Sequence, residues 1–364
     1  MPAAVINVLS QFRRDLAAND DSTMRVMAQR WLRVERALES DASLAARILT
    51  DLRASGWTVT PALAMRQERV QRLLAQTRVE VDKYARWADG QIARRQRSAL
   101  AAGVEAGTEA IRATAVGLQF DRLPVEALEN LIGLSGDGSP LVDTLRNSYG
   151  QGANGILGNL LEGVARGKGP REIARNALRL GLSQSLNHML TVAISESGRV
   201  YREATRQSYI RSGVCAGYYR VSAKSTRTCL GCLSMDGAFF TLDVPFEEHA
   251  RGRCTLRPAI IGAPHPEGSR KIETGPEWFE RQSDETKRKM LGPTRFELYQ
   301  RGVPFERFGA RRESATWGGS YVPATVRQVY AGVGSLTTRV PTVRAEPEKA
   351  PEWKPSMSRA EAER

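Results

Sequence analysis

Cysteine and histidine are scarce in this sequence, with four and three residues among 364. Four thiols are too few for a disulfide framework, and in a reducing compartment a C-x-x-C more often binds metal or does redox chemistry. Long apolar runs are also missing. None approaches the roughly 20 residues that span a bilayer, so no membrane partner is expected. The first residues place a short apolar stretch ahead of Arg13 and Arg14, the reverse of a secretory signal, which makes the cytoplasm, or a particle assembled there, the expected location. No internal repeat is visible. Gly152, Gly155 and Gly158 lack both the Walker lysine followed by Ser/Thr and the G-x-G-x-x-G order after a strand, which argues against a phosphate loop.

What is present is charge and helical patterning. The formal net charge is +13, which makes a polyanion or an acidic protein surface a plausible neighbour. "ARRQR" (Ala93 to Arg97) and the segment Arg166 to Arg179 are the densest basic stretches, and each also reads as an ordinary solvated helix face. The chain is long enough for two or three domains.

Val5 to about Gly56 has helical spacing, with Asp21-Ser22 expected as a cap within it. Pro61 opens a second helical stretch reaching toward Ala115. Its stripe of Val70, Leu74, Thr77, Val81, Tyr84 and Ala88 is suited to packing on another helix, as an arm or within a core. Short helices separated by glycine turns follow, then an amphipathic helix ending at Gly213 and carrying His188 alone. The period then changes. "GYYRVSA" and "GAFFTL" have the aromatic and β-branched content of strands, with Asp236-Gly237 as the turn into the second. A helical pair broken at Gly292-Pro293 comes next, and the proline-rich end from about Thr337 reads as disordered.

Three of the four cysteines fall in "CLGCLSMDGAFFTLDVPFEEHARGRC". Cys229, Cys232, His249 and Cys254 form C-x2-C-x16-H-x4-C, three sulfurs and one imidazole, a set suited to tetrahedral zinc. Packing without metal, a redox pair and a Cys-His nucleophile are the alternatives. A redox pair should open a helix after a strand, and a nucleophile pair lacks an evident orienting group. A zinc-dependent nuclease would need a further histidine, for which only His265 lies near. Cys215 is expected to be a buried thiol.

"TCLGCLSMDG", then Pro245, His249, Arg253-Cys254 and Arg257-Pro258, resemble the core signature of phage head morphogenesis proteins, the minor head protein family related to the F protein of phage Mu. "GKGPREIARNAL", the helix carrying Ser195-Glu196, and "TGPEWFERQSDETKRKMLG" are similar to its flanking segments. The resemblance covers roughly Leu123 to Gly309. Gly252 stands where the family has the first cysteine of a Cys-Arg-Cys, and Ser225 where an acidic residue often precedes the C-x-x-C.

The resemblance implies a non-enzymatic minor capsid component of a tailed phage or prophage head, located in the virion and in the host cytoplasm during assembly. Its implied partners are the portal protein, a major capsid or scaffolding protein and packaged DNA. The expected class is α+β: a mostly helical N-terminal region, a small Cys/His-centred β module, a helical C-terminal segment and a disordered tail. The corresponding ranges are a helical arm 1–120, a helical region 121–213, the Cys/His module 214–262, a helical segment 263–336 and the tail 337–364. The rival readings are a zinc-module nucleic-acid-binding protein and a toxin-like ADP-ribosyltransferase. The latter needs a catalytic glutamate in a strand-rich setting, whereas Glu196 lies in a helical pattern and no second β-rich region is expected.

Overall fold

The computed structural model describes residues 2–115, 117–262, 272–314 and 318–331. His265 and the expected tail 337–364 lie outside them. The class is α+β, with a helical N-terminal region and small antiparallel sheets.

Helix α1 (Pro2–Ala54) runs unbroken through Asp21-Ser22, so no cap interrupts it. The reason lies in its composition and one buried pair. It holds no glycine, and its single proline occupies the first position, where the missing N–H breaks no helical bond. Asp20 is buried 3.4 Å from Arg95 instead of serving as a helix start. The helix stops at Gly56, whose φ of +87° is a left-handed conformation that closes the last turn.

Thr60 caps the short α2 (Pro61–Met65), and α3 (Glu68–Thr114) follows. Five of the six residues of the expected stripe on α3 face inward, Val70, Thr77, Val81, Tyr84 and Ala88 being buried, while Leu74 is partly exposed. Tyr84 donates to Met27 O at 2.8 Å and meets Trp31 edge-on at 4.7 Å between ring centroids.

A 3-10 turn (Val125–Leu131) and α4 (Leu141–Arg146) lead to α5 (Tyr149–Ala165), α6 (Pro170–Arg179) and α7 (Ser183–Ser212). Gly152, Gly155 and Gly158, in the stretch expected to be short helices separated by glycine turns, all lie inside one helix, α5. Two of them permit close approach: a β-carbon at Gly155 would strike the backbone of Gly181, and one at Gly152 would strike the Ser185 hydroxyl. Gly213, with φ +66°, ends α7 as expected.

Strands β1 (Cys215–Val221), β2 (Phe239–Thr241) and β3 (Thr255–Ile260) form an antiparallel sheet in the order β2-β1-β3, with the five-residue α8 (Leu230–Ser234) between β1 and β2. Tyr218 stacks on Phe240 across the β1/β2 pair, and Tyr219 meets Phe239 edge-on. Gly237, φ +88°, turns the chain into β2 and donates to Arg220 O at 2.8 Å. Tyr209, Tyr218, Phe240, Leu256 and Tyr321 lie in one core beneath this sheet.

The C-terminal segment contains α9 (Gly275–Glu280), opened by a Thr274/Glu277 capping box, then α10 (Asp284–Leu291) and α11 (Pro293–Gln300), broken at Gly292-Pro293 as expected. It is not wholly helical. Strands β4 (Gly309–Ser314) and β5 (Gly318–Pro323) pair antiparallel before α12 (Val326–Tyr330), so a second small β region exists. Its strands, "GARRES" and "GGSYVP", are poor in β-branched residues; their alignment rests on cross-strand bonding and on Ala310 and Tyr321 reaching two cores.

The chain divides into two compact units. One comprises Met1–Leu16, Ser98–Glu129 and Gly198–Arg364; the other comprises Ala17–Arg97 and Asn130–Ser197. The stretch 1–120 is therefore shared between them, and the Cys/His module belongs to the first.

Candidate metal centre

Cys229 is the N-cap of α8, its Sγ accepting from Cys232 N at 3.2 Å. The C-x-x-C therefore does open a short helix after a strand, the setting of a redox pair and one not expected here, and it brings its two sulfurs to one side. The loop after β2 returns His249 to this spot, with Nε2 3.2 Å from Cys229 Sγ and 3.1 Å from Cys232 Sγ. Cys254 enters just ahead of β3, whose pairing with β1 runs from Val221–Thr255 back to Cys215–Ile260.

Two donor groups result, Cys229/Cys232/His249 and Cys232/Glu248/Cys254, each with its ligand atoms within 4.8 Å of one another. Cys232 belongs to both and links the four expected residues. This cluster can hold a metal ion. The sulfur–nitrogen separations are a few tenths of an ångström below the edge of about 3.5 Å expected in a tetrahedron of zinc-length bonds. His249 Nδ1 lies 2.9 Å from Ala250 O. A carbonyl only accepts, so Nδ1 carries the hydrogen and the Nε2 lone pair faces the sulfurs, the tautomer a metal requires.

The thiols share their protons in a defined order. The Cys232 thiol, helped by its own backbone N–H, holds Cys229 below the ordinary thiol range even though burial opposes it. Cys232 is pushed up by its bond to Cys229 and by burial, and Cys254 is pushed well up by its bond to Cys232 and by burial. A metal ion would take the place of these protons.

Glu248, adjacent to His249, was not singled out from the sequence. Its Oε1 accepts from His249 N at 3.1 Å and from Cys232 Sγ at 3.4 Å; its Oε2 accepts from Cys254 N at 3.2 Å and pairs with Arg220 at 2.9 Å. Burial works against its ionisation, yet Arg220, Arg202 and His249 hold the carboxyl down at about 2.

Arg220 was missed as well. It projects from β1 between Phe246 and Tyr321, 4.5 and 5.3 Å from their ring centroids. It also donates to Glu247 O at 2.6 Å and reaches Cys232 Sγ at 3.8 Å. The sequence did carry a signal. Period-two alternation sets Arg220 on the same face as the core residue Tyr218, and a cation on a buried face requires a partner.

The remaining candidates lie elsewhere. Cys215 is a buried thiol pushed up to about 12 by burial, 3.6 Å from Ser212 Oγ. Glu196 is buried on α7 and accepts from Gly136 N at 3.3 Å. His188, also on α7, belongs to no metal-donor group among the described residues. No described helix is long and apolar enough to cross a membrane. Compared with known protein families, curated proteins and solved structures, the chain matches none.

Proposed function

We propose that the chain is a structural minor head protein of a tailed phage or prophage, acting at the portal vertex in procapsid assembly, and that Cys229, Cys232, His249 and Cys254 bind a structural zinc ion. The supporting observation is that these four residues, which carry the resemblance in sequence, fall in two donor groups joined at Cys232, one half-buried and one buried. Three sulfurs and one imidazole suit zinc better than the harder divalent ions, which take oxygen donors. When bound, zinc supplies a cross-link, tying α8 to the loop ahead of β3.

The protein's own residues position that link. The β1/β3 ladder fixes Cys254, the Ala250 carbonyl orients His249, and Glu248 ties the backbone of His249 to that of Cys254. Such a module is a rigid docking unit, and the net charge of +13 on the whole chain suits the protein to the neighbourhood of packaged DNA. The role is non-enzymatic in this reading: Cys229, Cys232, Cys254 and His249 would serve as ligands, and Glu196 accepts a backbone bond within helical surroundings.

The test is a density gradient of lysate from cells producing the encoding phage or prophage, with mass spectrometry on particle and soluble fractions. A few copies per particle, co-sedimenting with the portal protein, are expected. Recovery only as free protein would contradict the assembly role and favour a nucleic-acid binder or an enzyme.

A further inference from the structure

Arg202, from the last turns of α7, and Arg220, from β1, are both buried and both face Glu248, Cys232 and Cys254. Arg202 donates to Gly252 O at 3.2 Å, and Arg220 bonds Glu247 O, Glu248 and Cys232 Sγ. Neither Nε has a hydrogen-bond partner. A third guanidinium, that of Arg13, stands at the edge of the group and faces Cys254 and Asp236. Next to it, Asp236 is paired with Lys224 at 3.0 Å.

The inner ring thus holds two guanidiniums against one carboxylate. Arg13 and Lys224 add two further cations against Asp236 at the edge, so positive charge outnumbers carboxylate around the sulfurs, an arrangement that is costly in a dry interior unless anionic sulfur offsets it. A divalent ion held by three thiolates and a neutral imidazole carries a net charge of minus one, and that charge offsets the excess. Glu248, for its part, accepts from two backbone N–H groups and a guanidinium, partners that do not depend on the thiol protons. Moving the carboxylate onto the ion would break those bonds, so it is held away from the ligand set.

We propose that Arg220 and Arg202 are the fixed counter-charges of the metal centre and that Glu248 is their anchor and not a ligand. This rests on the metal reading of the Cys/His cluster. It specifies the occupant further: the ring selects a monoanionic three-thiolate centre of a divalent ion over a neutral two-thiolate one. Arg220 and Arg202 are positioning residues, acting on the ion through the sulfurs.

One consequence separates this role from simple packing: the two halves of the buried ion pair act on metal affinity with opposite sign. Removing a guanidinium charge weakens the bound form, as loss of an outer-shell partner does elsewhere, by about 10–100-fold. Removing the Glu248 charge increases the positive excess that the centre offsets, so affinity is unchanged or higher.

The experiment is competition for zinc and for cobalt(II) against a chromophoric chelator. It uses the full chain and its Arg220→Met, Arg220→Lys, Arg202→Met and Glu248→Gln variants. Folding of each is checked by circular dichroism, and ligand identity by the thiolate-to-cobalt charge-transfer band. The expected result is one ion per chain with unchanged band intensity throughout. Affinity should fall about 10–100-fold in Arg220→Met and Arg202→Met, stay within about threefold in Arg220→Lys, and not fall in Glu248→Gln. If Arg220→Met does not fold, Arg202→Met carries the same prediction. A fall of similar size in both the arginine and the glutamate variants would overturn the proposal, as would unchanged affinity in Arg202→Met. Failure of the unaltered chain to bind either ion would instead remove the metal reading itself, and this proposal with it.

Discussion

Arg220 Nη2 lies 2.9 Å from Glu248 Oε2, with the two side chains 1% and 2% exposed. The pair fixes the Glu248 carboxylate over the Cα of Gly252, where a β-carbon would collide with it. Glu248 thus fills the space that a side chain at position 252 would need. Gly252 and the glutamate that precedes His249 are two parts of one arrangement.

Gly252→Cys should therefore not improve the metal site. Glu248 is held by two backbone bonds and a guanidinium, so it cannot swing aside cheaply, and the variant should lose about 1–3 kcal/mol of stability. Chemical denaturation of the variant beside the unaltered chain checks this. A midpoint equal to or above that of the parent would contradict the packing described here.

Cys232 is common to both donor groups, so its loss should be the most damaging of the four. Cys232→Ser is expected to lower stability by about 3 kcal/mol or more, a fall in Tm of roughly 6–12 °C, because metal binding and folding are coupled. A strong chelator should produce a similar fall in the parent and almost none in the variant, as read by differential scanning calorimetry.

Acid should release the ion, and the sign follows from the ligands. Each thiol must lose its proton to bind, and at neutral pH Cys232 and Cys254 are held protonated by their neighbours and by burial. Lowering the pH thus restores competing protons, and apparent affinity should fall by about tenfold per pH unit for each protonated thiol. Chelator competition between pH 8 and pH 6 measures the slope; a slope near zero would contradict a thiolate site.

Two glycines of α5 offer a paired test away from the metal. Gly155→Ala should destabilise by about 1–3 kcal/mol, since the new methyl meets the Gly181 backbone. Gly158→Ala meets nothing and should stabilise by about 0.5–1 kcal/mol through helix propensity. Equal effects in thermal melts would contradict the close approach at Gly155.

Much of this architecture is written in local signals. Gly56, Gly213 and Gly292-Pro293 end helices because their backbone chemistry does so wherever they occur, and β1 and β2 are marked by their aromatics and the Asp236-Gly237 turn. The donor residues were legible because few other side chains bind metal. What was not legible depends on partners distant in sequence. Asp21-Ser22 looks like a cap, yet α1 continues because nothing there breaks it and Asp20 is paired with Arg95. The glycine-rich stretch of α5 reads as broken by turns, yet Gly152 and Gly155 are contact points for a later segment. Strands β4 and β5 carry almost no strand composition and are placed by Ala310 and Tyr321 reaching cores built by other segments. Arg220 and Glu248 stand 28 positions apart, and only the fold brings their charges together.

Elemental analysis of the purified full chain, with Cys232→Ser and Cys215→Ser measured beside it, reads the metal content itself. About one zinc per chain is expected in the parent and in Cys215→Ser, whose thiol lies outside the cluster, and almost none in Cys232→Ser. Metal absent from the parent, or retained equally by Cys232→Ser, would contradict a metal centre at this cluster.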